Sequence, residues 1–217
     1  MSNSIGIYEP FETVTDILHD IYLGHIDESD IIDFIVYLEN EDTDSWLFFG
    51  EFLNIIESLN KHSINSSDFT NLTNIGLNKL GELLYFDIGF GDYYANTSKF
   101  GLEVFKLNNE KDIFKQLKIN NWDLIGHGAN GEAFDIGNNK ILKITKDNSE
   151  AYNSCLLFET PDKPTNLINI HYVGELLIED IETKYIIIQD RVEIDKNIRT
   201  KYNLINKHFE EFKPWHI

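Results

Sequence analysis

Within the stretch LIGHGANGEAFDIGNNKILKIT, Leu124 to Thr145, the glycines Gly126, Gly128 and Gly131 precede a lysine, Lys143, set in an apolar run. Residues without a side chain let the backbone come close to phosphate oxygens, and a lysine on a following strand can meet their charge. The chemistry on offer is therefore the binding of a nucleotide's phosphates. WDLI, EAFDI and KILKIT around the glycines read as three short strands. A dinucleotide fold needs such glycines to open a helix, and EAFDIG followed by the turn GNN is a poor helix opener. The phosphate loop of nucleotide hydrolases is excluded too, because no Gly-Lys-Ser or Gly-Lys-Thr closes the glycine run. What fits is a β-hairpin flap with a lysine on the next strand.

Those residues resemble the small lobe of protein kinases, over Trp122 to Asp195. Gly126, Gly128 and Gly131 match the glycine-rich loop, and Ala133 takes the place of the family's usual valine. ILKIT resembles the strand bearing the phosphate-pairing lysine, here Lys143. Glu150, in NSEAYNSCLL, is similar to the helix glutamate that pairs with that lysine. NLINIHYVGELLIED and TKYIIIQDRVEID resemble the next two strands and the hinge. There the resemblance puts Gln189 at the gatekeeper position, Asp190 next to it, and the backbone of Val192 at an adenine edge. It implies ATP as the ligand and an antiparallel sheet with one helix as the fold.

The resemblance stops where catalysis would begin. Protein kinases transfer phosphate with an aspartate and metal ligands from a large lobe beyond the hinge, and only 22 residues follow Asp195. They read as one helix with Tyr202, Ile205, Phe209 and Phe212 on one side, and they hold no His-Arg-Asp or Asp-Phe-Gly. A circular arrangement, with the lobe supplied from the amino-terminal region, is disfavoured. LHDIYLGHID has a catalytic-loop likeness, but His25 stands where an asparagine is wanted and no proper Asp-Phe-Gly follows. Catalysis is accordingly not carried over. Other chemistry is thin: seven histidines show no metal-ligand spacing, and Cys155, the single cysteine, reads as a buried structural thiol.

Charge divides the chain. The formal net charge is -19, and residues 1–110 hold 20 Asp and Glu against 4 Lys, whereas residues 111–217 hold 17 against 14 basic residues. The first 60 residues carry 14 acidic groups and no Lys or Arg. Such a face repels nucleic acid and membrane surfaces and attracts basic protein surfaces. Asp16, Asp20, Asp27, Glu28, Asp30, Asp33, Glu39, Glu41, Asp42 and Asp44 could take phosphate positions in a partner's nucleic-acid site.

Helical periodicity appears over Pro10–Gly24, Asp27–Asn40 and the aromatic-rich DTDSWLFFGEFLNIIESLNKH, with a fourth helix expected over Thr73–Leu84. EKDIFKQL reads as a short helix, and β-rich runs follow from Asn121. The expected architecture is α+β: an acidic, mainly helical domain over 1–115, then a small-lobe-like antiparallel sheet with a helix over 116–217. No long apolar run or signal peptide is seen, and with one cysteine the expected setting is cytoplasmic. The abundance of Ile, Asn, Lys and Asp points to a low-GC bacterial or phage genome. The function expected first is a non-catalytic, phage- or mobile-element-encoded protein that inhibits or regulates a partner with a basic, nucleic-acid-handling surface. The alternative is the ATP-binding half of a split or truncated kinase whose large lobe comes from another chain.

Overall fold

A computed structural model describes residues 18, 19, 21, 23, 28–64, 74–78, 80–89, 95–179, 182–193 and 197–212. In chain order the elements are α1 (Glu28–Glu41), α2 (Thr43–Lys61), β1 (Ile75–Leu77), β2 (Leu83–Tyr85), a 3-10 turn (Thr97–Phe100), β3 (Glu103–Leu107), α3 (Asp112–Gln116), β4 (Asp123–His127), β5 (Gly131–Gly137), β6 (Lys140–Thr145), α4 (Asn148–Glu159), β7 (Ile170–Ile178), β8 (Glu182–Asp190) and α5 (Ile198–Glu211). The fold class is α+β, as expected. No helix among the described residues is long and apolar enough to cross a membrane.

The chain forms two units, residues 1–56 with 196–217, and residues 57–195. In the first, α1 and α2 meet α5 through aromatic side chains. Phe34 lies edge-on to Phe49 at 5.2 Å and to Phe209 at 5.8 Å between ring centroids, and Phe52 meets Tyr202 at 6.1 Å. Phe34, Phe49 and Phe52 are at most 1% exposed, and burying each such ring contributes roughly 1.5–3 kcal/mol. Asp42 separates α1 from α2 and caps the latter, its carboxylate accepting from the backbone N–H of Asp44 at 3.1 Å and from the Ser45 hydroxyl at 2.7 Å.

In the second unit, β1 and β2 form an antiparallel hairpin, and six strands form a mixed sheet in the order β3-β7-β8-β6-β5-β4. Strand register sorts side chains onto two faces, because neighbours directly opposite share a face and successive residues alternate. Phe134, Leu142 and Ile186 fall on one face, which Ile113 and Phe114 of α3 cover. Ala133 and Ile187, each opposite Lys143, fall with it on the other, over which α4 lies.

One expectation needs correction. In place of the helix expected over Thr73–Leu84, the described residues there form β1 and the start of β2. Asn78 turns the chain by accepting from the N–H groups of Leu80 at 2.8 Å and Glu82 at 3.0 Å, Gly81 takes φ +82°, and the buried run Leu83–Tyr85 pairs back. The strands within 116–217 pair antiparallel, as expected, and β3, from before that range, joins the sheet's edge parallel to β7. In the compact units, residues 57–115 supply strands and α3 to the sheet's unit, while α5 groups with α1. The helices over Asp27–Asn40 and residues 42–62 are found as α1 and α2, and EKDIFKQL as α3. The helix expected over Pro10–Gly24 lies outside the described residues, except that Leu18, His19, Ile21 and Leu23 are helical.

Candidate functional site

The hairpin β4–β5 carries the three glycines, and only one of them is required by the protein's own packing. A Cβ on Gly131 would fall on the carbonyl oxygen of Ile144, 2.8 Å from the Thr145 Cα, so β5 could not pair with β6 with any other residue there. At Gly128 a Cβ would meet nothing within 4 Å, and at Gly126 only the Ala133 Cβ at 3.6 Å. The space beside these glycines belongs to a cavity of about 250 Å³.

Lys143 projects into that cavity from β6. Its ammonium is bound to the carboxylate of Glu150 and lies 3.5 Å from Asp87 Oδ1. Burial pulls the lysine pKa down, but the charges of Glu150 and then Asp87 outweigh it and raise the value. For Glu150 burial raises the pKa and Lys143 opposes it. Glu150 reaches this place because Asp147, not Glu150, caps α4: Asp147 Oδ1 accepts from the N–H groups of Ser149 at 2.9 Å and Glu150 at 3.1 Å. Further along the helix, Asn153 donates at 2.6 Å to the carbonyl of Ile88 and ties down the segment that carries Asp87.

Asp87 arrives from the β1–β2 hairpin. The hairpin is held where Tyr85 N donates to Asn166 O at 3.0 Å and Ile168 N to Tyr85 O at 2.9 Å. Asn74, which precedes β1, and Asp87, which follows β2, both line the cavity, and Phe86 N donates to Asn74 O at 2.9 Å. Gly89 completes this edge: a Cβ there would sit 3.1 Å from Asp147 Oδ2 and 3.4 Å from the Glu150 Cβ.

Of the residues singled out from the sequence, Gly126, Gly128, Gly131, Lys143 and Glu150 come together around the cavity. Asp190 and Val192 are not among its lining residues. Asp190 takes His171 Nε2 at 2.7 Å, and the Val192 side chain occupies the space that a Cβ on Gly76 would need. Among the acidic candidates Asp33, Glu39, Glu41 and Asp44 are exposed. Asp42 is committed to its cap and to His208 Nε2 at 3.3 Å. Glu28 and Asp30 fall in α1, whereas Asp16, Asp20 and Asp27 lie outside the described residues, as do most of the LHDIYLGHID residues.

Sequence reasoning misses Asp87, Asn74 and Asp147. The signal for Asp87 is the triplet Asp87-Ile88-Gly89, a carboxylate and a glycine flanking one apolar residue. Ile88 is 1% exposed, so burial of the middle residue aims Asp87 outward. Comparison with protein-family models, with curated proteins and with solved structures finds no match for this chain.

Proposed function

We propose that this protein binds a magnesium-complexed nucleoside triphosphate in the cavity between the glycine hairpin and the Lys143–Glu150 pair, in the manner of a protein kinase. The observation that carries the reading is Lys143, held between Glu150 and Asp87 beneath glycines whose missing side chains open onto the cavity. In kinases a glycine-rich loop covers the phosphates, a lysine held by a glutamate binds them, and an Asp-Phe-Gly aspartate with an asparagine holds magnesium. Here Asp87-Ile88-Gly89 stands for the aspartate triplet, and Asn74, on the other side of the hairpin, for the asparagine. The order β4-β5-β6-β8-β7, with α4 between β6 and β7, agrees with the small-lobe resemblance. On this reading the acidic segment precedes the glycine hairpin in the chain instead of following the hinge. Magnesium, when bound, would neutralise the phosphates, with Asp87 and Asn74 as its protein contacts.

Calorimetric titration of ATP with magnesium into the wild type, Lys143→Ala and Asp87→Asn tests this. Binding by the wild type that both variants weaken by at least about tenfold is expected for lost charge-assisted contacts. A folded wild type that gives no heat sinks the proposal.

A second reading concerns the first unit. The exposed carboxylates of Asp33, Glu39, Glu41 and Asp44, on a segment without a lysine or arginine before Lys61, favour a basic protein partner. Reversing all four to lysine should abolish capture of such a partner, and unchanged affinity would remove this reading.

A further inference from the structure

We propose that Asp147 makes binding in the cavity depend on a divalent cation, because its own carboxylate fills the place where a bare phosphate would be held. The inference rests on the nucleotide reading and concerns which form of nucleotide the site accepts. The first turn of a helix is a ready anion site, since its N–H groups lack partners within the helix and its dipole is positive there. α4 starts beside the cavity, and the N–H groups of Ser149 and Glu150 are the ones a phosphate oxygen would use. Both already donate to Asp147 Oδ1, at 2.9 Å and 3.1 Å.

The other oxygen is turned toward the cavity's acidic edge. Asp147 Oδ2 lies 3.1 Å from the position a Cβ on Gly89 would take, and its neutral partner, the Asn130 amide of the glycine hairpin, is at 3.4 Å. Among the described residues no lysine or arginine pairs with Asp147. Its sequence neighbour Lys146 is not in this cavity's lining but lines an adjoining one of about 210 Å³ along the same glycine hairpin. Lys143 is already committed to Glu150 and Asp87. The cavity lining therefore presents Asp87, Glu132, Asp147 and Glu150 against one ammonium. An uncomplexed triphosphate meets net repulsion in a site partly screened from water, whereas a magnesium complex carries less negative charge and sets a cation beside the carboxylates. Asp147 is the one of these carboxylates whose contacts are all with neutral groups, so removing its charge isolates its share of the effect.

Asp147→Asn separates this role from capping, because asparagine caps a helix about as well as aspartate and keeps the acceptor oxygen. ATP is titrated calorimetrically into wild type and variant, with magnesium and with EDTA. In the variant the ratio of magnesium-complexed to metal-free affinity is expected to fall at least about tenfold, chiefly through tighter metal-free binding. An unchanged ratio, with the wild type binding the magnesium complex, overturns the role of Asp147 and leaves the nucleotide reading standing. A wild type that binds neither form removes the nucleotide reading and this inference with it. Should the asparagine variant lose helical circular dichroism, Asp147→Ser, another capping residue without charge, gives the same comparison.

Discussion

Lys143 Nζ lies 3.5 Å from Asp87 Oδ1 although the two residues stand 56 positions apart in the chain. One comes from the third strand of an antiparallel run, the other from the end of a separate two-stranded hairpin. Nothing in either segment alone marks them as partners; Asn153, by holding the Ile88 carbonyl, sets where the carboxylate falls.

Removing one member of the buried pair should cost more than removing both. Glu150 is 6% exposed at the side chain and Lys143 18%. Lys143→Met leaves a carboxylate in a site that disfavours its charge, an expected loss of about 3–5 kcal/mol. Lys143→Met with Glu150→Leu replaces the pair by apolar groups and should recover most of that loss. Urea unfolding of the two single variants and the double gives the coupling directly, and strictly additive costs would show that the pair contributes no mutual stabilisation.

Two glycines of the same hairpin should respond in opposite ways. Gly131→Ala places a methyl group against the Ile144 carbonyl and the Thr145 Cα, backbone atoms that cannot move aside without breaking β5–β6 pairing. A loss of about 1–3 kcal/mol is expected. Gly128→Ala meets open space in the protein and should leave the unfolding midpoint near that of the wild type. The same methyl group would crowd a phosphate, so ATP affinity should drop in Gly128→Ala without loss of stability. Equal destabilisation by the two substitutions would contradict this division.

Cys155 should be inert in the folded protein. Burial, reinforced by the charge of Glu159, pushes its thiol up to about 12, so little thiolate exists at neutral pH. Alkylation by iodoacetamide should be slow without denaturant and fast in urea, followed by mass spectrometry. Equal rates would place the thiol in solvent.

The glycine hairpin, β6 with its lysine and the helix bearing Glu150 are legible in the sequence because each is local. Period-two alternation with a GNN turn specifies β5–β6, while the start of α4 depends on a cap, Asp147, that the sequence reading passes over. The β1–β2 hairpin misleads because Ile75, Leu80, Leu83 and Leu84 mimic helical spacing, while Asn78 and Gly81 decide the outcome through turn chemistry. Reading that segment as a helix hides Asp87 at its end. The aromatic face of α5 is equally plain, but its periodicity carries no information about which partner it meets. Its pairing with Phe34 and Phe52 is a tertiary fact, 150 or more positions away in the chain.

Asp42 supplies a pH dependence whose sign follows from its contacts. The hydrogen bond from the Ser45 hydroxyl is the largest cause holding its carboxyl below 3.8, with burial opposing and the Ser45 backbone and His208 adding to the effect. A depressed folded-state value means that the stabilisation is fully present above the unfolded value of 3.8 and disappears as pH falls through the lower folded-state value. Removing the cap by Asp42→Ala should cost about 0.5–2 kcal/mol at neutral pH, since the N–H groups of Asp44 and Ser45 lose their acceptor. Below 3.8 the wild-type advantage should shrink, because a protonated carboxyl is the weaker acceptor. Urea unfolding of both proteins, followed by helical circular dichroism from neutral pH down to acid, measures the gap. A gap that stays constant or widens on acidification would mean that Asp42 acts through packing and not through its charge.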